Sequence, residues 1–230
     1  MFFLSPRCLM CDRSCDRLDS AQVRLCLTCE RQIGSAKRDQ PLGTMSDDRH
    51  YQAMPLFAWA DYEGNLRQSI VRLKYQRMRT IGTWLGQQMA DTWIAQGLHR
   101  TLRSLVVVPI PMFAAKEKIR GYNQAAVIAQ QFARTVGYRY EPKILRRDRE
   151  TQAQYSVDRR SRSSNLESAF TLGPLPRLHA QDRILIVDDI YTTGATVRSA
   201  MKTLSPSLKI WGVAVAACPV FETRYSGPHG

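Results

Sequence analysis

Ile184-Leu185-Ile186-Val187-Asp188-Asp189-Ile190-Tyr191-Thr192-Thr193-Gly194-Ala195-Thr196 is the stretch from which the fold is read. Four aliphatic residues, 184–187, predict a buried strand: the run is short and β-branched, too short for a helix. Two adjacent carboxylates then stand at its carboxyl end. A small, hydroxyl-rich turn, 192–196, follows and opens a helix predicted over 197–204. In open α/β sheets, ligands bind beyond the carboxyl ends of the strands. A helix N-terminus behind a glycine turn offers unpaired backbone N–H groups to a phosphate. The acidic pair suits ribose hydroxyls or the water shell of Mg²⁺. A phosphorylated sugar satisfies both halves of the stretch.

This pattern resembles the 5-phosphoribosyl-1-pyrophosphate (PRPP) motif of type I phosphoribosyltransferases. The resemblance implies that Asp188 and Asp189 touch the ribose hydroxyls and that Thr192, Thr193, Gly194, Ala195 and Thr196 wrap the 5′-phosphate, with Mg²⁺ accompanying PRPP. The plain alternative is a buried strand and a capped helix with no ligand. A Walker B strand is a further alternative, but the chain has no Gly-x-x-x-x-Gly-Lys-Ser/Thr to hold the phosphates.

The chain has 230 residues, enough for one α/β domain and a small appendage, and 44% of them are hydrophobic, enough to build a core. No run approaches the roughly 18 apolar residues of a membrane span, so no membrane insertion is expected. Residues 1–4 are apolar, but no basic residue precedes them, which argues against a secretory signal and for a cytoplasmic protein. Formal net charge is +13, which points to a polyanionic partner, nucleic acid above all. The basic residues cluster. Arg67, Arg72, Lys74, Arg77 and Arg79 lie within thirteen residues that contain no acid. Arg146, Arg147, Arg149, Arg159, Arg160 and Arg162 crowd a second stretch. Arginine favours forked contacts to phosphate oxygens.

Six cysteines are present. Cys8-x-x-Cys11 and Cys26-x-x-Cys29, separated by fourteen residues, have the pattern of a tetrahedral Cys₄ zinc site. A disulfide framework is the competing reading, which a cytoplasmic location disfavours. Cys15 lies between the two pairs and could replace Cys11 through a longer loop. A region so short and polar would draw folding energy from the metal. Cys218 reads as a buried strand residue.

The coarse organisation is a zinc ribbon over residues 1–40 and an α/β domain over 41–230. Residues 34–50 read as a linker. Strands are predicted at 55–62, 105–111, 184–187 and 209–218. Helices are predicted at 66–75, 81–98, 121–136 and 197–204, with Trp84 and Trp93 in the core. Alternating strands and helices predict a parallel, doubly wound sheet flanked by helices. Residues 146–165 are polar, basic and without periodicity, as a functional lid would be. Residues 222–230 read as a tail.

Along nearly its whole length the chain resembles the ComF family of competence-associated, phosphoribosyltransferase-like proteins. The resemblance rests on the double Cys-x-x-Cys, on Asp61-Tyr62-Glu63-Gly64 leading to Leu73-Lys74-Tyr75, and on Val108-Pro109-Ile110-Pro111 leading to Arg120-Gly121-Tyr122-Asn123-Gln124. It continues through Thr151-x-x-Gln154, Arg162-x-x-Asn165 and Ala169-Phe170 to the PRPP motif. It implies a type I phosphoribosyltransferase-like fold and a role in natural transformation, handling single-stranded DNA alongside DNA-uptake or recombination proteins. Residues 109–112 would be the pyrophosphate loop. Lys118, Arg120, Arg146 and Arg147 become candidates for pyrophosphate neutralisation or the lid, although Lys118 and Arg120 read equally well as solvated charges at a helix start. Single-stranded DNA would meet Arg67, Arg72, Lys74, Arg77, Arg79, Arg159, Arg160 and Arg162. An active phosphoribosyltransferase of nucleotide metabolism is the alternative function; no catalytic residue is assigned, since the transfer needs positioning and charge stabilisation more than a nucleophile.

Overall fold

Strand pleating organises the molecule. The computed structural model describes residues 7–15, 23, 25–45, 54–148 and 169–219. A six-stranded sheet has β1 (Leu42–Met45), β2 (Met54–Asp61), β8 (Ile210–Cys218), β7 (Arg183–Ile190), β3 (Leu105–Pro109) and β4 (Arg139–Tyr140) in that spatial order. Within this sheet the β1–β2 pairing is antiparallel, and β2, β8, β7, β3 and β4 run parallel. Successive residues of a strand point to opposite faces. Phe57, Trp59, Leu105, Val107, Leu185, Val187, Ala214 and Ala216 therefore join one apolar layer. Val106, Val108, Ile184, Ile186, Val213 and Val215 join the other. Strands buried on both faces read as unbroken aliphatic runs.

The first layer holds α2 (Gly64–Tyr75), α3 (Arg79–Ala95) and α6 (Gln124–Val136), together with α1 (Leu27–Gly34) and Cys8, Cys15 and Cys29. Trp93 is its hub, in edge-to-face contact with Phe57, Phe132 and Trp211 at centroid distances of 5.1, 5.4 and 5.4 Å. Its indole N–H donates to the Tyr138 hydroxyl at 3.1 Å. The other face holds α7 (Ala195–Leu204) and a two-stranded sheet of β5 (Leu145–Arg147) and β6 (Phe170–Leu172). This is a mixed α/β fold with a mostly parallel sheet flanked by helices, as expected. Trp84, Trp93 and Cys218 are buried.

The structure corrects several boundaries. The segment read as a linker contains the end of α1 and strand β1, whose residues show no apolar alternation because they lie on the sheet edge and are mostly exposed. The helix predicted over 81–98 starts at Arg79 and stops at Ala95; Gly97 adopts φ 72° and starts a short α4 (Leu98–Thr101). The helix predicted from residue 121 begins at Gln124, capped by Asn123, and is preceded by an unforeseen α5 (Ala114–Arg120). Arg146 and Arg147 belong to strand β5 rather than to a loop. The remaining calls between 149 and 168, including Arg149, Arg159, Arg160 and Arg162, lie outside the described residues, as does the tail.

Helix α3 crosses α6 at a close approach centred on Gly86, where an added Cβ would run into the Ile128 carbonyl oxygen. Gln87 Oε1 accepts from Gln131 and Thr135 across the same contact, at 2.8 Å each. Gly86→Ala normally favours a helix by about 1 kcal/mol. Here it is expected to destabilise the chain by about 1–3 kcal/mol through overpacking, read as a lower midpoint in urea.

Candidate functional site

Strand β7 runs on through the acidic pair to Ile190, three residues beyond the predicted end, and is paired on both sides. The pleat therefore divides the two carboxylates. Asp188 shares the even-numbered face with Ile184 and Ile186, towards α7; Asp189 shares the odd-numbered face with Leu185 and Val187, towards α2. On that side Lys74, from the last turn of α2, places Nζ 2.7 Å from Asp189 Oδ2. Asp189 is 8% exposed, and its carboxylate takes this ammonium as its counter-charge. Burial opposes the Lys74 charge, but the charges of Asp189 and Asp188 outweigh it and raise the lysine pKa. Asp188 accepts the Asp189 backbone N–H at 2.8 Å. Burial, then repulsion from Asp189, pushes its carboxyl well above the usual range.

The turn after β7 is shaped by Gly194, which caps α7 with φ 72°. A side chain there would run into the Tyr191 hydroxyl and the Arg198 guanidinium, so the glycine is required by its own neighbours as well as by its backbone. Thr192 and Thr193 are exposed on the turn, and Thr193 Oγ1 accepts the Ala195 N–H at 3.4 Å. Beside β7, Asn123 secures the end of β3: its Nδ2 donates to the Ile110 carbonyl at 2.9 Å. Strand end, acidic pair, glycine turn and helix N-terminus thus lie together at the carboxyl end of a central strand.

The basic candidates divide into two groups. Lys74 serves Asp189, and Arg72 donates to the Leu9 carbonyl at 3.0 Å, so both turn inward. Arg67, Arg77 and Arg79 are exposed, as is Lys118 on α5. Arg120 lies over the Tyr75 ring, 5.3 Å from its centroid. Arg77 reaches across to the Ile119 carbonyl at 3.1 Å. Tyr75 and Ile119 are 73% and 75% exposed, so the end of α2 and α5 present an aromatic and an aliphatic side chain within a basic surface. Arg147 lies over Phe170 at 5.4 Å. Sequence reading missed the partnership of Lys74 and the exposure of Tyr75, because adjacent residues on a helix face different surroundings that only packing reveals.

The sulfurs of Cys8, Cys11, Cys26 and Cys29 all lie within 4.8 Å of one another, and Cys15 is not part of the group. Cys11 and Cys26 are 3.7 Å apart, close to the roughly 3.8 Å that a tetrahedron with Zn–S bonds of about 2.3 Å requires. Cys26 caps α1 and Cys29 sits in its first turn, so one short helix start carries both sulfurs of the second pair. Burial disfavours the Cys8 thiolate, yet the N–H groups of Cys26, Met10 and Cys11 lower its pKa to about 6. Cys29 is pushed up, by burial and then by the neighbouring sulfurs. Four crowded thiols cannot all ionise without a cation, and the donor set suits a metal such as zinc.

Two sets of measurements follow. The Asp188 pKa is higher folded than unfolded, so stability contributed by this group falls as pH rises through that window. Asp188→Asn removes the charge and keeps an acceptor for the Asp189 N–H. It is expected to raise Tm at neutral pH, by about 2–4 °C for each kcal/mol recovered, with the gain vanishing near pH 3.8. Asp189→Asn instead strands the Lys74 ammonium and should cost on the order of 3 kcal/mol. Opposite signs in thermal melts distinguish the two carboxylates. For the cysteines, elemental analysis of protein purified without chelator should give about one zinc per chain. Cys26→Ser should lose it and lower the Tm; a metal-free chain with an unchanged Tm contradicts the site.

No family model matches the chain. Competence protein F of Haemophilus influenzae is 26% identical over 94% of this chain and 100% of its own length. The DNA utilization protein YhgH of Salmonella typhimurium is 28% identical over 86% of each chain. Competence protein ComFC of Bacillus subtilis is 29% identical over 44% of this chain and 39% of its own. With the paired cysteines ahead of a mostly parallel α/β sheet, these similarities, the first two over most of the chain, support the resemblance to the ComF family.

Proposed function

We propose that this protein binds PRPP or a related phosphoribosyl compound, with Mg²⁺, at the β7–α7 turn, binds single-stranded DNA on its basic surface, and acts in DNA uptake during natural transformation. The acidic pair at the end of a central parallel strand, one tight turn ahead of a helix N-terminus, is the observation that carries the ligand half. Asp188 and Asp189 would meet the ribose hydroxyls or the cation's water, and the N–H groups of residues 193–196 would meet the phosphate. Mg²⁺ supplies charge to the pyrophosphate when bound. At Asp188, where burial and then Asp189 raise the pKa, a nearby cation would favour the carboxylate. On this reading the fold is phosphoribosyltransferase-like, and the first forty residues form a zinc-bearing unit ahead of it.

The DNA half draws on charge and on the Tyr75–Arg120 surface. A net charge of +13 favours a polyanion, and an exposed ring carrying a guanidinium offers a base a stacking face. The names of the relatives, competence and DNA utilization proteins, point the same way. The work would take place in the cytoplasm, with DNA-uptake or recombination proteins as partners.

Isothermal titration should detect PRPP binding that requires Mg²⁺ and is lost in Gly194→Val. Single-stranded DNA affinity should fall steeply with salt, with a log–log slope of roughly −0.7 for each phosphate contact. Arg77→Ala with Arg79→Ala should flatten that slope. Tyr75→Ala should weaken binding by about fivefold or more while leaving the slope unchanged. Robust pyrophosphate release with one free base, and no DNA affinity at physiological salt, would favour a salvage transferase instead.

A further inference from the structure

Helix α2 touches both of the chemically distinctive places in the molecule. Leu9 and Met10 are the two residues between Cys8 and Cys11. Arg72 Nη1 donates to the Leu9 carbonyl at 3.0 Å, and Ser69 Oγ lies 3.5 Å from Met10 Sδ. Asn65 Nδ2, at the start of α2, donates to Gln32 on α1 at 3.1 Å. One face of α2 is thereby fastened to the turn that the cysteine sulfurs shape and to the helix that carries Cys29. Two residues after Arg72, about 200° around the helix, Lys74 reaches Asp189 at 2.7 Å. The helix is a short rigid link with a cysteine turn on one side and a carboxylate on the other.

We propose that Lys74 is a positioning residue for the acidic pair, and that the Leu9–Met10 turn of the cysteine cluster sets its place through α2. Binding of a metal by the four sulfurs fixes the turn, the turn fixes Arg72 and Ser69, and the helix then holds the ammonium against Asp189. Loss of the metal loosens the first link and with it the last. The cluster thus serves the carboxyl end of β7 as well as its own segment. Other charged or titratable groups acting on this contact are Asp188, beside Asp189 on β7, and Tyr62, just after β2. The proposal goes beyond the ligand reading, and it stands whichever ligand the acidic pair binds.

The test uses the full-length, zinc-loaded protein and an amine-reactive acylating reagent, with labelling of each lysine followed by mass spectrometry. Exposed Lys209, outside these contacts, is the internal reference. Lys74 should label slowly in the wild type. Arg72→Met, with its zinc content intact, should speed Lys74 labelling by about fivefold or more while Lys209 is unchanged. Removing zinc with a chelator should give the same selective change, and Asp189→Asn should mark the fully released limit. A second readout follows the Asp188 carboxyl by carbon NMR. Lys74 lowers the Asp188 pKa, so Lys74→Met should shift its titration to higher pH, and Lys74→Arg should restore it towards the wild type. Unchanged Lys74 labelling in zinc-loaded Arg72→Met would overturn the coupling. Unchanged carboxyl titration in Lys74→Met would overturn the positioning role. Failure of PRPP to bind would count against the proposed ligand and leave both of these readouts unaffected.

Discussion

Two adjacent carboxylates at the end of a strand that is paired on both sides strain against burial and against each other. The fold answers by dividing them. The pleat turns Asp188 and Asp189 to opposite faces of the sheet, and α2 brings an ammonium to one of them. The other keeps a raised pKa and is held by a backbone N–H. Much of the surrounding architecture serves that arrangement. Leu66, Ile70 and Leu73 seat α2 on the sheet, and the Tyr122 hydroxyl donates to the Leu73 carbonyl one residue before Lys74. Carboxylates kept close at a cost in stability are characteristic of binding sites, where a ligand or cation completes the charge balance.

The cysteine segment is stapled into the same layer rather than set apart from it. Cys8, Cys15 and Cys29 belong to the apolar cluster that also contains Trp59, Trp93 and Leu185. Arg38, just past α1, pairs with Asp61 at 2.6 Å at the end of β2, and Lys37 bridges to Ala60. A metal that orders the sulfurs would therefore act on neighbouring structure as well as on its own loop. The exposed basic surface of Tyr75, Arg77, Arg79 and Arg120 grows from the C-terminal end of the same helix and from α5. Cysteine turn, acidic pair and basic surface are all reached from α2.

Most of the fold was legible because its signals are local. Aliphatic runs at 105–108 and 184–187 declared buried strands, and periodic apolar residues declared α2, α3, α6 and α7. What escaped was set by the edges. Strand β1 lacks an apolar face, since little covers it, and α5 is almost wholly exposed, so neither shows periodicity. The exposed ends of helices shifted where Gly97 and Gly121 take positive φ.

The same division holds at the candidate site. Residue order alone determined the acidic pair, the glycine turn and the four cysteines at metal spacing, because each lies within one short segment whose geometry is local. Tertiary structure decided which charges face which. Lys74 looked like one of five residues in a basic stripe, yet it is the partly buried partner of Asp189, some 115 residues away in sequence. Arg72 left the same stripe for a backbone carbonyl of the cysteine turn. Gly194 looked like space reserved for a phosphate, and is already required by Tyr191 and Arg198. Charge interactions depend on distance and burial, and both are products of packing between distant segments; no pattern along the chain records them.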